Sequence, residues 1–496
     1  MTNISQARAD VYAQVDRLVA VVEGKESQSA TEVEVALWGG VLRLGAGLMS
    51  LFFVHQALKW PKGFVYDVAG VAHQVGATEA VELGSKFGKF SVQQPVGRAV
   101  GRRRPPRDFP MARALGLPGG FTLPLVTLVA KFCALMAFRP ARETLRDLLA
   151  WAPAPRSVLR MVDTVGARVR GFLDQAAIPT GDTGVLLILA DGKGAPAISS
   201  KEDAKRRQPH RKGTGGRRQK KSGAPKKRRG PGKKSKNAKM AAVGVICTLE
   251  TDEGGIIRPV NKRIYATFTT YRALFVWLKA EAVRRGYGTT KFRKVQFVAD
   301  GADTLWELQQ EFFPDAEVCL DWVHAVEKLW KCGRAIVRGP ATERLPLEAW
   351  VHAHRKLLRH GKLSEVLATL QAALDSTPVT GPGNKARREV LDKTIKHFTK
   401  NRARMRYHRL RQQGLVIGSG LVEGTVRHLV GMRLDGPGMR WGKARAEAVL
   451  KLRCVVLNGQ WIEFEAYLAH QPALRLVSKP VPTVTHDAKT RTKRAA

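Results

Sequence analysis

The period of the apolar positions changes several times along the chain, and each change marks an element. Helical spacing runs through residues 4–22 and 31–58, the second containing EVEVALWGGVLRLGAGLMSLFFVHQAL. That run approaches the roughly 20 apolar residues of a membrane span. Arg43 in its middle, His55 and Gln56 near its end and the flanking acidic pair predict instead a helix buried in a helical domain. Residues 59–110 hold glycines, prolines and the run GRRRPPR, the texture of a flexible basic linker closing a helical N-terminal region, 1–110. Helical spacing resumes at Thr122 and continues through 141–151 and 156–173, broken by Arg139-Pro140 and Pro153-Ala154-Pro155. Three short helices over 111–180 allow a helix-turn-helix unit in which SVLRMVDTVGARVRG, with Arg160, Arg168 and Arg170, enters a DNA groove. A plain helical bundle gives the same pattern.

At Gly184 the pattern turns to strands. The unbroken apolar run 185–190 fits a strand buried on both faces, and it stops at Asp191-Gly192. AAVGVICTL (241–249), a turn at 252–255 and KRIYATF (262–268) predict a strand hairpin, and a helix over 271–285 follows. Val295, Phe297 and Val298 form a short strand that stops at Asp300-Gly301. Leu305, Leu308 and Phe312 mark a helix, 316–320 a strand that ends on Asp321, and Val323, Val326 and Leu329 another helix. Three strands, helix, strand, helix, strand, helix is the order of a ribonuclease-H-like α/β fold, whose first and fourth strands are neighbours. That order predicts Asp191 and Asp300 side by side at the carboxyl ends of strands, where sites form in such sheets. Asp-Gly is equally a plain turn dipeptide.

Residues 336–412 read as an all-helical insertion, with helices over 342–358, 363–374 and 386–407, so that the sheet domain spans 181–335 and 413–470. Beyond the insertion, Gly418-Ser419-Gly420 opens a helix with Ser419 as its cap, Glu423 in its first turn and Arg427 beside Glu423. The helix dipole by itself accounts for a first-turn glutamate.

Charge narrows the function. The 496 residues carry 84 Lys and Arg against 42 Asp and Glu, a net +42, which calls for a polyanionic partner, double-stranded DNA being the usual one. Residues 201–240 concentrate it, with 18 basic against 2 acidic residues and a composition from which no packed core can come, so a disordered basic loop is expected. Its Arg206, Arg207, Arg211, Lys212, Arg217, Arg218, Lys226, Lys227, Arg228 and Arg229 suit sequence-blind, salt-sensitive phosphate contacts, and Arg440 further on joins them. A solubilising loop is the alternative. Residues 471–496 read as a disordered basic tail. The five cysteines contain no CxxC pair, which points to a reducing compartment and away from a zinc ribbon. The N-terminus lacks an apolar signal core, so a cytoplasmic, nucleoid-associated protein without a membrane partner is expected.

Several blocks, taken together, resemble the DDE transposases of bacterial insertion sequences, in particular their ISKra-type family. They are LADGKGAP, VADGADTLWELQQEFFPDAEVCLDWVHAVEKLW, NRARMRYHRLRQQGLVIGSGLVEG, GMRLDGPGMRW and AVLKLRCVVLNGQW, within about residues 110–465. The resemblance implies Asp191, Asp300 and Glu423 as a catalytic triad holding two Mg²⁺ or Mn²⁺ ions, with Asp321 and His324 as a supporting DxxH element. It also implies cutting at element ends, joining of the freed 3′-hydroxyl to target DNA, and a homodimer or larger assembly on DNA. The basic insert after Asp191 is longer than the family pattern, and the first hundred residues lack its cysteine pair. A nuclease that cuts without joining and a DNA-binding protein without catalysis are the alternatives.

Overall fold

The computed structural model describes residues 4–24, 29–101, 107–180, 183–199, 202, 238–251, 257–337, 345–471, 474 and 476. The ten lysines and arginines expected to contact phosphate between 206 and 229 lie outside them, as does the tail beyond 476. The chain forms two compact units, one of described residues up to Leu173 and from Glu447 onward, the other from Asp174 to Ala446.

In the first unit, α1 (Ile4–Val22) and α2 (Ala30–Ala57) form a hairpin. A capping box starts α2: the Ser29 hydroxyl accepts from the Glu32 amide, and the Glu32 carboxylate accepts from the Ser29 amide at 2.8 Å. Leu18 packs on Gly40 and Val11 on Gly47, so the two helices run antiparallel and their glycines let them approach closely. Contrary to the expected buried helix, only 11% of the apolar stretch of α2 is covered. Among the described residues this is the one helix long and apolar enough to cross a membrane.

The expected linker is instead an antiparallel sheet of β1 (Val65–Val68), β2 (Val71–Ser85), β3 (Gly88–Ala99) and β4 (Arg107–Asp108), in that order. Its inward positions alternate, with Val81 and Leu83 on β2 and Phe90 and Val92 on β3, and they close a core with Phe53 of α2 and Met111. Helices α3 (Pro110–Ala114), α4 (Leu123–Leu135), α5 (Phe138–Leu149), α6 (Pro155–Gly166) and α7 (Val169–Gln175) follow. The stretch expected to read a DNA groove breaks at Ala167-Arg168, and residues 161–166 are all buried. Gly166 lies against Ala448 of the returning helix Lys443–Leu457, and Arg453 of that helix donates to the Ala134 carbonyl at 2.7 Å. The second half of this helix is enclosed, while Pro155, Arg156 and Arg160 in its first half are exposed.

The second unit is mixed α/β. Its strands are β5 (Val185–Pro196), β6 (Ala238–Thr251), β7 (Ile257–Thr267), β8 (Lys294–Ala299) and β9 (Glu317–Leu320), in the order β7-β6-β5-β8-β9. The first three pair antiparallel, β8 runs parallel to β5, and β9 runs parallel to β8. Val185–Ala190 are 0–1% exposed, which is why that stretch is apolar without alternation. Helices α8 (Tyr271–Arg285), α9 (Asp303–Phe312) and α10 (Trp322–Ile336) alternate with the parallel strands. After them come α11 (Leu345–Arg359), α12 (Leu363–Ser376), α13 (Asn384–Lys400), α14 (Tyr407–Gln412) and α15 (Gly420–Val426). The buried Glu281 of α8, 1% exposed, accepts from Arg263 and Arg284 at 3.1 Å and from Arg285 at 2.9 Å.

Candidate catalytic site

Parallel pairing between β5 and β8 stops at Ala190 and Ala299, and the next residue on each is an aspartate. Asp191 and Asp300 thus leave adjacent strands at the same level. Asp191 is not at a strand end, as the sequence suggested: β5 continues to Pro196, paired with β6 alone, so Asp191 sits where a two-sided strand becomes one-sided. Both side chains are half-buried. Asp191 accepts from the Gly192 amide at 2.6 Å, and Asp300 from the Ala302 amide at 3.0 Å.

Neither Asp-Gly glycine has a positive φ, so neither is kept for a left-handed turn. Both are kept for space. A Cβ on Gly192 would overlap the Tyr271 hydroxyl, and one on Gly301 would overlap the His397 ring. Two side chains that sequence reasoning passed over therefore frame the acids, Tyr271 at the start of α8 and His397 on α13. Burial, with Asp191 and Asp300 adding, pushes the Tyr271 phenol up to about 12. Burial and then the Lys328 ammonium push the His397 imidazole down to about 4. At neutral pH Tyr271 is an O–H donor and His397 a neutral cover.

Glu423 reaches this corner from far along the chain because three contacts tie the segment before it to the sheet. The fully buried Gln296 amide on β8 donates to the Val416 carbonyl at 2.6 Å and accepts from the Val416 amide at 3.2 Å. The Trp322 amide donates to the Ile417 carbonyl at 2.9 Å. Asp321, 0% exposed, accepts from the Ser419 amide at 2.7 Å. Ser419 precedes α15 as expected, but it makes no side-chain cap; its hydroxyl donates to the Glu423 carboxylate at 3.2 Å. Arg427, expected beside Glu423, opens a single π turn (Arg427–Gly431) and makes no ion pair with Glu423 among the described residues. The GMRW segment is tied to the Asp191 strand: the Trp441 amide donates to Pro196 and the Ile198 amide to Trp441. Arg440 pairs with Glu202 at 2.7 Å. Asp303, one turn after Asp300, pairs with Lys400 at 2.6 Å.

Asp321 and His324 form a unit. The Asp321 carboxylate caps α10 by accepting from the Val323 and His324 amides, and it also accepts from His324 Nδ1. Burial by itself would raise the Asp321 carboxyl, and these hydrogen bonds with that from Ser419 outweigh it and hold it below the usual range. His324 is raised to about 9, first by its hydrogen bond to Asp321 and, against burial, by Asp321, Asp191 and Asp300, so it is an imidazolium at neutral pH. Ligand atoms of Asp321, His324 and Glu423 all lie within 4.8 Å of one another, a metal-binding spacing. The donor chemistry argues against that trio: a protonated imidazole has no lone pair to offer, and the Asp321 oxygens already accept four hydrogen bonds.

What stays open is oxygen on Asp191, Asp300 and Glu423. Burial raises the Asp191 carboxyl, the Gly192 amide opposes it, and the charges of Asp300 and Glu423 raise it further against His324. Asp300 and Glu423 are thus each within electrostatic reach of Asp191. Carboxylates alone suit a hard divalent cation such as magnesium or manganese and not a thiophilic one, and all five cysteines are buried. No family model matches the chain, and no curated protein shows significant similarity to it.

Proposed function

We propose that the chain is a DNA transposase of the DDE type, with a ribonuclease-H-like catalytic unit, acting on double-stranded DNA. The observation that carries this reading is the convergence of Asp191, Asp300 and Glu423, acids from three distant parts of the chain, in one corner beside the parallel strands. The strand order β7-β6-β5-β8-β9 and the net charge of +42 support it. In the first reaction water attacks a phosphodiester at the element end, and the bond to the 3′ oxygen breaks, leaving a 3′-hydroxyl and a 5′-phosphate. In the second, that hydroxyl attacks a target phosphodiester, one phosphodiester forms as another breaks, and the target strand leaves with its own 3′-hydroxyl.

Asp191, Asp300 and Glu423 would hold two divalent cations, which lower the pKa of an attacking hydroxyl and stabilise the leaving oxygen. Ser419 orients Glu423 through its hydroxyl, and Asp321 fixes the backbone that carries both. The His324 imidazolium, paired to Asp321, adds one positive charge facing Asp191 and Asp300. Tyr271 holds a proton beside Gly192, where a phosphate oxygen can accept from it.

The test uses the full chain, magnesium or manganese, a labelled duplex from the DNA flanking its gene, and a target plasmid. Joined product is expected. Asp191→Asn, Asp300→Asn and Glu423→Gln should each lower cutting and joining by about 10³-fold or more while retaining DNA binding. Wild-type activity in all three would remove the catalytic reading, and cutting without joined product would leave a nuclease.

A further inference from the structure

The N-terminal hairpin leaves a broad apolar face in the open. On α1, Tyr12, Val15, Val19 and Val22 are 57, 40, 47 and 66% exposed, and on α2, Trp38, Val41, Leu48 and Phe52 are 53, 48, 49 and 42%. Positions 12, 15, 19 and 22 step by three and four, and so do 38, 41, 45, 48 and 52, with Gly45 in the middle place. That is the heptad spacing by which one helix seats against another. Neither stripe is the seam that the two helices share, which runs through Val11 and Leu18 on α1 and Gly40 and Gly47 on α2. At ~100° per residue the α1 stripe lies about 70° round from that seam and the α2 stripe about 130° round from it. Because the helices run antiparallel, these rotations bring both stripes to the same side of the hairpin. Phe87, packed on Gly45 and 41% exposed, extends the patch. The Trp38 indole donates to the Leu148 carbonyl at 3.1 Å, which holds its ring in place.

Charge selects what covers this face. Residues 4–57 carry four Lys and Arg against six Asp and Glu, net −2, in a chain whose total is +42. A second copy therefore meets little like charge at this face. DNA recruits clustered lysine and arginine, and so does an anionic membrane surface, and the hairpin offers no such cluster. The nine side chains expose on the order of 900 Å², against the roughly 800 Å² that each partner gives to a standard interface.

We propose that this face is the seat of a second copy of the chain, two hairpins meeting about a two-fold axis as a four-helix bundle. The assembly forms without DNA and holds whether or not the chain cuts DNA. Sedimentation of the full chain in high salt should give twice the 54.6 kDa chain mass, dissociating on dilution. Val19→Glu combined with Leu48→Glu should weaken self-association about 100-fold or more and leave the circular dichroism spectrum unchanged. Because all five native cysteines are buried, Val41→Cys gives a second readout, an intermolecular disulfide under mild oxidation. A wild-type chain that stays monomeric at tens of micromolar overturns the proposal, as does a double variant that still dimerises. A monomer that sediments with phosphatidylserine vesicles through this face would make lipid the occupant instead.

Discussion

Two acid clusters in the mixed α/β unit differ in what surrounds them. Glu281 is buried beneath three arginines, each within hydrogen-bonding distance, and its charge is more than balanced. Asp191 is half-buried among Asp300 and Glu423, with one imidazolium opposing them. The first cluster is complete in the folded chain. The second carries a repulsion that His324 only partly offsets, which separates an acid neutralised within the fold from one left with unbalanced charge.

The largest effect should come from the satisfied cluster. Glu281→Gln leaves buried guanidinium groups without their counter-charge and should cost about 3–5 kcal/mol in urea unfolding, with the Asp191 corner left intact. A loss below about 1 kcal/mol would mean that the arginines find other partners, and the contrast would fail.

Asp191→Asn should act in the opposite direction, adding about 0.5–2 kcal/mol at pH 7 while abolishing the proposed cutting. The sign follows from proton linkage. The folded chain holds the Asp191 proton more tightly than the unfolded chain does, so the destabilisation is fully present above the folded pKa and gone below the unfolded one, near 3.8. The gain from Asp191→Asn should therefore shrink as pH falls, and a variant that melts earlier than wild type at pH 7 would show that the corner is not strained.

The smallest effect belongs to His324. Its ring signals in NMR should titrate near 9, and near the usual 6.5 in Asp321→Asn. Because the folded pKa is the higher one, the stability gained from this proton is complete below about 6.5 and is lost as pH rises through about 9. An unchanged midpoint in Asp321→Asn would assign the shift to the surrounding acids and not to the paired carboxylate.

What the sequence revealed follows from where its signals were local. Strands β5 and β8 are covered on both faces, so their apolar runs stand out and the acids following them could be aligned. The continuation of β5 past Asp191 could not, since Gly192 and Gly194 carry no pattern and its pairing is backbone alone. The N-terminal sheet alternates at Val81, Leu83, Phe90 and Val92, yet its glycines, glutamines and the nearby GRRRPPR run resemble a linker. For α2, apolarity alone cannot distinguish a helix buried in its own chain from one left without a partner. Glu281 and Arg285 read as an ordinary surface pair four residues apart, and nothing local marks Gln296 or Asp321 as anchors for residues a hundred positions later. The third acid was placed by resemblance; the ties that hold it became visible only in three dimensions.

Those ties set the order in which the pieces of this corner come together on a growing polypeptide. A nascent chain leaving the ribosome completes all five strands of the mixed sheet, with both aspartates and the basic insert, well before residues 413–423 emerge. Until Gln296 and Asp321 capture that late segment, Glu423 has no fixed place beside the two aspartates. On the proposed function, termination upstream of the segment would yield a chain that binds DNA without cutting it, a competitor of the full-length protein and not a weaker version of it.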